Sequence, residues 1–306
     1  MSAITNQLGL NITEEKLQIV ELNYTDYGCY LENIDEEYFE ELISAETKEA
    51  KFIYILQNAF NEIILRNPIN ANKVSVSLPL SFFNTFEIPT EQNLTGSDFD
   101  EYLEWEFSKL YPGLYKENFV IQSYVTKSDK NDDDSLNAFV YVISKSILKI
   151  IHKFCVRNDL HLKNIDNTHI ASTAFLRLKH NQEKQLSLFI DNHRVSVILH
   201  SNNQFLYYKQ KEHKSVAEIS LLVKDIFNEV NERYFKFDSP KSILLFGNIY
   251  SEKLKNELEK TLELSIQTVN PFEQLKTTLD LSENKFYEEN NIKFSSATGM
   301  ALRLVS

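Results

Sequence analysis

Seven histidines and two cysteines are the side chains of this sequence best suited to ligate a metal or attack a substrate. His152, His161, His169, His180, His193, His200 and His213 include no pair four residues apart, and neither Cys-x-x-Cys nor His-Glu-x-x-His occurs. A Gly-x-Ser-x-Gly elbow and a Walker A loop are also missing, so the motifs predict no metal site and no catalytic nucleophile. Cys155 sits beside Phe154 and Val156 in the helical stretch Lys145 to Arg157 and reads as a core thiol. The run Ser-Asp-Lys-Asn-Asp-Asp-Asp-Ser at 128–135 has the carboxylates to hold a cation, but its setting between two strand patterns reads as a solvated hairpin tip. Glycine is scarce, with 6 in 306 residues, well below the usual ~7 per cent. Glycine-rich phosphate cradles are therefore disfavoured.

The elements that must position any site are legible from periodicity. Leu8 to Ile12, Lys16 to Leu22 and Cys29 to Ile34 read as a three-strand meander, followed by an amphipathic helix over Ala45 to Arg66 and a strand at Lys73 to Leu78. The same order returns later: strands at Leu186 to Asp191, Val195 to Leu199 and Phe205 to Lys209, a helix from Ser215 to Tyr234, and a strand at Ser242 to Phe246. A helix at Ser251 to Thr261 and a strand at Leu264 to Val269 follow. Two copies of one order imply a duplicated α/β unit with a cleft between the copies, where ligands bind. Between them lies an extra block, about 81–165, with a helix at Ser97 to Leu110 and paired strands at Phe119 to Thr126 and Leu136 to Ile143.

A chain of 306 residues, 42 per cent apolar and 25 per cent charged, has enough apolar mass for two packed domains. Its formal net charge of -12, with only short basic runs, disfavours binding to bare nucleic acid or to anionic lipid through its general field. Two distant cysteines, no secretory leader pattern and no long apolar run predict a cytoplasmic chain without membrane insertion. Aromatic residues are plentiful, 21 Phe, 15 Tyr and one Trp, and read first as core filling.

In order and spacing, these segments resemble PilM, the cytoplasmic actin-like protein of type IV pilus machinery, a relative of FtsA. The likeness rests on Leu8-Gly9-Leu10-Asn11-Ile12 through Val20-Glu21-Leu22, on Ser77-Leu78-Pro79 and Glu87-Ile88-Pro89, and on Ile165-Asp166 to Arg177 as a crossing helix. Asn270-Pro271-Phe272 and Ala297-Thr298-Gly299-Met300-Ala301-Leu302-Arg303 complete it. The resemblance implies an actin-like, duplicated RNase H-like fold with domain I at 1–178 (subdomains 1A and 1C, the latter about 81–165). Domain II (2A and 2B) would span 179–285, and a closing helix at 286–306 would return to domain I.

Family members bind ATP between the halves on the hairpin turns of the two meanders. By that resemblance the nucleotide positions are Asn11 and Thr13 in the first turn, Asp191 and His193 in the second, Gly247 and Asn248 beside the adenosine, and Gly299 in the last helix. Asn11 stands where an Asp would help hold Mg²⁺, and Thr13 replaces a glycine. Glu14 and Glu15 would repel a triphosphate, while His193, Lys209 or Lys211 offer substitute cations. The expectation is a degenerate pseudo-ATPase with no required cofactor, residual ATP and Mg²⁺ binding being left open. The resemblance also implies a partner, the extended cytoplasmic tail of a PilN-like inner-membrane protein, in a groove between 1A and 1C lined by Phe82, Phe83, Phe86, Trp105 and Tyr111. The chain would then be a scaffold peripheral to the inner membrane, with homo-oligomer formation open. An active ATP-dependent switch and a stand-alone actin-like protein akin to the cytoplasmic part of type II secretion platforms are the alternatives.

Overall fold

The computed structural model describes residues 5–90, 94–114, 116–127, 136–174, 176, 184–201, 204–235, 240–249, 251–288 and 291–303. The first meander is β1 (Thr5–Ile12), β2 (Lys16–Thr25) and β3 (Gly28–Tyr38). Helix α1 (Glu49–Arg66) crosses over to β4 (Lys73–Leu78), which lies parallel to β1. An inserted block follows, with β5 (Phe83–Thr90), α2 (Ser97–Leu110), β6 (Phe119–Lys127) and β7 (Leu136–Ser144). Then come α3 (Lys145–Arg157), β8 (His161–Asn167) and the short α4 (Thr168–Ser172).

The second unit contains β9 (Gln185–Ile190), β10 (Arg194–Ser201), β11 (Gln204–Glu212), α5 (Val216–Tyr234), β12 (Ser242–Gly247), α6 (Glu252–Leu262) and β13 (Ser265–Thr268). The chain closes with α7 (Leu279–Ser282), α8 (Lys285–Glu288) and α9 (Ser295–Leu302). The two large sheets have orders β3-β2-β1-β4-β8 and β11-β10-β9-β12-β13, which are the same topology.

That identity corrects the expected extent of the inserted block. Residues 83–144 form its own sheet, β5-β7-β6, but α3 and β8 rejoin the first unit. They hold the places that α6 and β13 hold in the second. The reason is burial: Ile147, Ile150, Ile151 and Phe154 cover the first sheet beside α1, with Phe60 and Phe154 edge to face at 5.4 Å, and β8 pairs parallel to β4.

The crossing helix is also shorter than expected. Ile165 and Asp166 are strand, and the helix starts at Thr168, capped by the Asn167 side chain accepting from the Ile170 N–H at 2.9 Å. Of the rest of that stretch, residues 175 and 177–183, with the expected domain boundary at 178, lie outside the described residues, as does the acidic run 128–135. The closing helix begins at Ser295 rather than at residue 286, because Phe286 and Tyr287 pack on Phe294 and Phe272 ahead of it.

The inserted sheet has two different faces, set by strand alternation. Ala138, Val140 and Val142 meet Leu103 and Phe107 of α2. Phe139 and Tyr141 turn the other way onto the second unit, with Phe139–Tyr207, Tyr141–Tyr208 and Tyr124–Phe205 ring centroids 6.0, 4.9 and 4.8 Å apart. Much of the aromatic content therefore fills the joint between the units. Arg233 of α5 adds two hydrogen bonds to Glu87 of β5 at 2.9 and 3.1 Å.

Every residue of α9 is buried. It returns to the first unit between β1 and α4, so closely that a Cβ on Gly9 would sit 1.9 Å from the Ala297 carbonyl oxygen and one on Gly299 1.8 Å from that of Ala171. Two backbones meet there with no room for a methyl group. Gly299→Ala is expected to cost about 3 kcal/mol or more, read as a lower urea midpoint, whereas an unchanged midpoint would mean that α9 can shift away from α4 freely.

Candidate functional site

The two hairpin turns that the nucleotide reading singled out face each other across the units, and they are built alike. In the β1–β2 turn the Thr13 hydroxyl oxygen accepts the N–H groups of Glu15 and Lys16 at 3.2 and 2.9 Å. In the β9–β10 turn Asp191 Oδ1 accepts those of His193 and Arg194 at 3.0 and 2.7 Å. Each turn is therefore closed by its own first side chain, and two of the amides in each that could face a phosphate already have an acceptor. The fourth residue of each turn is a cation paired with a glutamate on the third strand of its own meander. Lys16 Nζ lies 2.8 Å from Glu36, and Arg194 Nη2 lies 2.7 Å from Glu212. Lys16 is buried, so its partner is obligatory.

The turns also bind one another. Glu14 Oε1 accepts from the Ser81 hydroxyl at 2.6 Å, and its Oε2 lies 3.2 Å from His193 Nε2. Glu14, expected to repel phosphate, instead bridges the cleft. Arg194 Nη1 donates to the carbonyls of Leu80 and Phe83 at 3.0 and 3.2 Å, tying the second turn to the exit of β4. Desolvation pushes the Asp191 carboxyl above the usual carboxylate range, against the pull of its two amides, and the Glu14 carboxylate adds to the rise.

Asn11 is fully buried, donates to Gln18 Oε1 at 2.8 Å and accepts from the Ser77 hydroxyl at 2.9 Å. The substitute cations are engaged as well: Lys209 pairs with Glu229, and Lys211 Nζ lies 3.6 Å from Asp225. Gly247, at φ +126°, lets β12 close on β9, since a Cβ there would sit 2.0 Å from the Ile190 carbonyl oxygen. Asn248 donates its N–H to that same oxygen at 3.0 Å. Gly247 and Gly299 thus stand where they do for close packing. Among the described residues, no group of three or more His, Cys, Asp or Glu is placed to hold a metal ion.

The expected groove residues do not come together. Phe82 is buried in the first core, edge to face with Phe52 at 6.0 Å. Phe86 and Tyr111 pack under α2, with centroids 6.1 Å apart. Trp105 lies on the exposed side of α2 with the Lys109 ammonium 3.0 Å above its ring. The inserted sheet stands between Phe86, Tyr111 and Trp105 on one side and the first unit, which holds Phe82, on the other. Only Phe83 lines the cavity at that junction, which measures about 330 Å³.

The other walls are residues the sequence reading missed: Val120, Gln122 and Tyr124 of β6, Tyr141 and Ile143 of β7, Leu148 of α3, and Leu162 to Asn167 of β8. A period-two split of β6, with Phe119 and Ile121 under α2 and Val120, Gln122 and Tyr124 opposite, was the available signal. Both flanking strands, β6 and β8, are the end strands of their sheets. Asp166, in the cavity wall, is ion-paired with Arg303, just beyond α9. The Asn167 side-chain nitrogen and the Tyr141 hydroxyl are buried there with no hydrogen-bond partner among the described residues.

His169 of α4 is fully buried between the second unit's Ser196 and Ser187 hydroxyls, at 2.6 and 3.0 Å. Burial, with a smaller contribution from His200, holds its pKa well below the ordinary value.

No protein-family model matches the chain, and neither does any curated protein. Among solved structures, the fold is similar to that of a PilM-PilN type IV pilus biogenesis complex, at 17% identity over 98% of each chain with a TM-score of 0.78. It is also similar to a Bacteroides thetaiotaomicron protein of unknown function with an actin-like ATPase fold, at 13% identity over 91% of this chain and 94% of that one, TM-score 0.53. A third likeness is to the ethanolamine utilization protein EutJ of Carboxydothermus hydrogenoformans, at 7% identity over 97% and 89%, TM-score 0.51. The fold is actin-like, as the sequence resemblance implied, and the chain is PilM-like in form. Among the described residues, no helix is long and apolar enough to cross a membrane.

His169 yields a pH prediction. Its folded pKa lies below the roughly 6.5 of an unfolded imidazole, so the unfolded chain takes up the proton first. Its contribution to stability is intact above that pH and is lost as pH falls below it, by up to about 1.4 kcal/mol per pH unit. Melting temperature measured from pH 7.5 to 5 is expected to fall less steeply in His169→Gln than in the wild type. Parallel curves would exclude His169 as a source of the slope.

Proposed function

We propose that this protein is a PilM-like assembly component of a type IV pilus or a related secretion platform. In this reading it is a scaffold without ATPase activity that grips an extended tail of a PilN-like, membrane-anchored partner. The observation that carries the reading is the cavity between β6–β7 and β8–α3, bounded by two end strands and lined by apolar and aromatic side chains with polar ones from β6 and β8 among them. An extended peptide can add to either strand edge while its side chains enter the cavity. The fold likeness to PilM in a complex with PilN supports the same reading. The protein would then work at the cytoplasmic face of the inner membrane through its partner.

The cleft between the turns would be a structural joint. In support, the amides of Glu15, Lys16, His193 and Arg194 and the side chains of Glu14, Lys209 and Lys211 all have partners within the chain. A thermal-shift scan with millimolar Mg-ATP is expected to show no rise in melting temperature, whereas a ligand at 100 times its dissociation constant would add about 2.7 kcal/mol. A clear rise would restore the nucleotide-switch reading.

Partner binding is tested by titrating fluorescent peptides, taken from the cytoplasmic tails of single-span proteins encoded beside this chain, and reading anisotropy. Val120→Asp places a carboxylate at an exposed position of the cavity wall and is expected to weaken the binding tail about tenfold or more. Trp105→Ala should leave the affinity unchanged. The reverse pattern would move the site to the outer face of α2.

A further inference from the structure

Helix α3 carries Lys145, Lys149, His152, Lys153 and Arg157 and no Asp or Glu, in a chain whose formal net charge is -12. At 3.6 residues per turn these five share one face with Val156, opposite the core-facing Ile147, Ile150, Ile151 and Phe154. All six are exposed, and Val156, near the middle of the face, retains 59% of its full exposure. Lys153 pairs with Glu49, and the one nearby acid in sequence is Asp159, beyond the helix end. Lys145, Lys149 and Arg157 form no ion pair among the described residues.

Such a face opposes its own helix, since Lys145, Lys149 and Lys153 repel at i, i+4 spacing. It also runs against the field of the whole molecule, which repels anions. A compact basic strip on an acidic body orients the molecule with this side toward a negatively charged plane. The strip adjoins the groove, because Leu148, one residue before Lys149, lines the cavity.

We propose that the exposed face of α3 docks on anionic phospholipid headgroups, with Lys145, Lys149, His152 and Arg157 over the headgroups and Val156 against the interface. The choice of a lipid surface rests on the reading that the groove holds the tail of a membrane-anchored partner, which brings this face to the bilayer. A flat strip roughly 18 Å long, at 1.5 Å per residue, with an exposed valine amid cations suits a membrane plane better than a nucleic-acid groove. Juxtamembrane lysines and arginines bind anionic leaflets in the same additive way.

The test is flotation of the purified full chain with vesicles of phosphatidylcholine alone, or with about 40 mol% phosphatidylglycerol, at low and at roughly 0.5 M salt. The expected result is binding to the anionic vesicles only, lost at high salt and reduced about tenfold or more in Lys145→Gln/Lys149→Gln/Arg157→Gln. These positions are exposed, so the triple variant should keep the wild-type melting temperature, and its affinity for the groove peptide in lipid-free solution should be unchanged. Equal binding to both vesicles, no binding, or an unaffected triple variant would overturn the proposal while leaving the groove reading intact. Tighter, equally substitution-sensitive binding to soluble polyglutamate would assign the face to an acidic protein and overturn the lipid assignment. Failure of every partner tail to bind the groove, with vesicle binding retained, would count against the groove alone.

Discussion

The last helix of the chain completes the first unit, and the rest of the architecture depends on how closely it can seat there. Helix α9 is buried on all sides, so it must satisfy every neighbour at once with small side chains. Ala297 and Ala301 lie over Gly9 of β1, Gly299 lies against Ala171, and the Ser296 hydroxyl donates to the Thr168 carbonyl at 3.1 Å and is hydrogen-bonded to the Ser172 hydroxyl at 2.8 Å. Arg303, just past the helix, closes on Asp166 at the end of β8. The floor of the groove, Asp166 and Asn167, is thus held by residues well over a hundred positions further along the chain. The first unit cannot reach its final packing until the second has been made, which places much of its stability in non-local contacts.

Most elements were legible because their burial is one-sided. The meanders alternate, and α1, α3 and α5 carry continuous apolar stripes, so strand and helix assignments fell within a few residues of the observed ends. Sheet membership was less legible. Helix α3 and β8 follow the inserted block directly in sequence, and only the need of the first sheet for a fifth strand separates them from it. The second unit held the clue, since α6 and β13 follow β12 there without interruption. The groove failed for a related reason: a list of nearby aromatics ignores which side of β5, β6 and β7 each residue occupies. Phe86 and Phe83 differ by an odd number of positions, and the sheet puts them on opposite faces.

The turns show why substitutions read as losses need not be empty. Thr13 in place of a glycine supplies a hydroxyl that takes two amides, and Asp191 does the same with one carboxylate oxygen. The duplicated units therefore share a turn design that sequence identity does not reveal: an acceptor at the first position, a cation at the fourth, and a glutamate across the meander. Retained glycines point the same way. A Cβ on Gly247 or Gly299 would sit only 2.0 or 1.8 Å from a carbonyl oxygen, so packing alone demands glycine at both. Glycine identity at a family position is weak evidence for a ligand when a backbone already fills the space.

What the two units do to each other follows from these contacts taken together. An actin-like cleft responds to a ligand only if its halves have two arrangements of similar free energy. Here the halves are joined at several separate places: the aromatic joint at Tyr124, Phe139 and Tyr141, the Arg233–Glu87 bonds, Arg194 on the Leu80 and Phe83 carbonyls, His169 between two serines, and Glu14 across to His193. Opening the cleft would break all of them at once, exposing aromatic surface and leaving His169 without its two serine partners and Arg194 Nη1 without its carbonyl acceptors. The groove carries no such requirement, because β6 and β8 are fixed by the same joints that fix the cleft. An actin-like fold joined in this way is a rigid frame, and the cavity at the edge of the inserted sheet can admit a ligand without moving the two units.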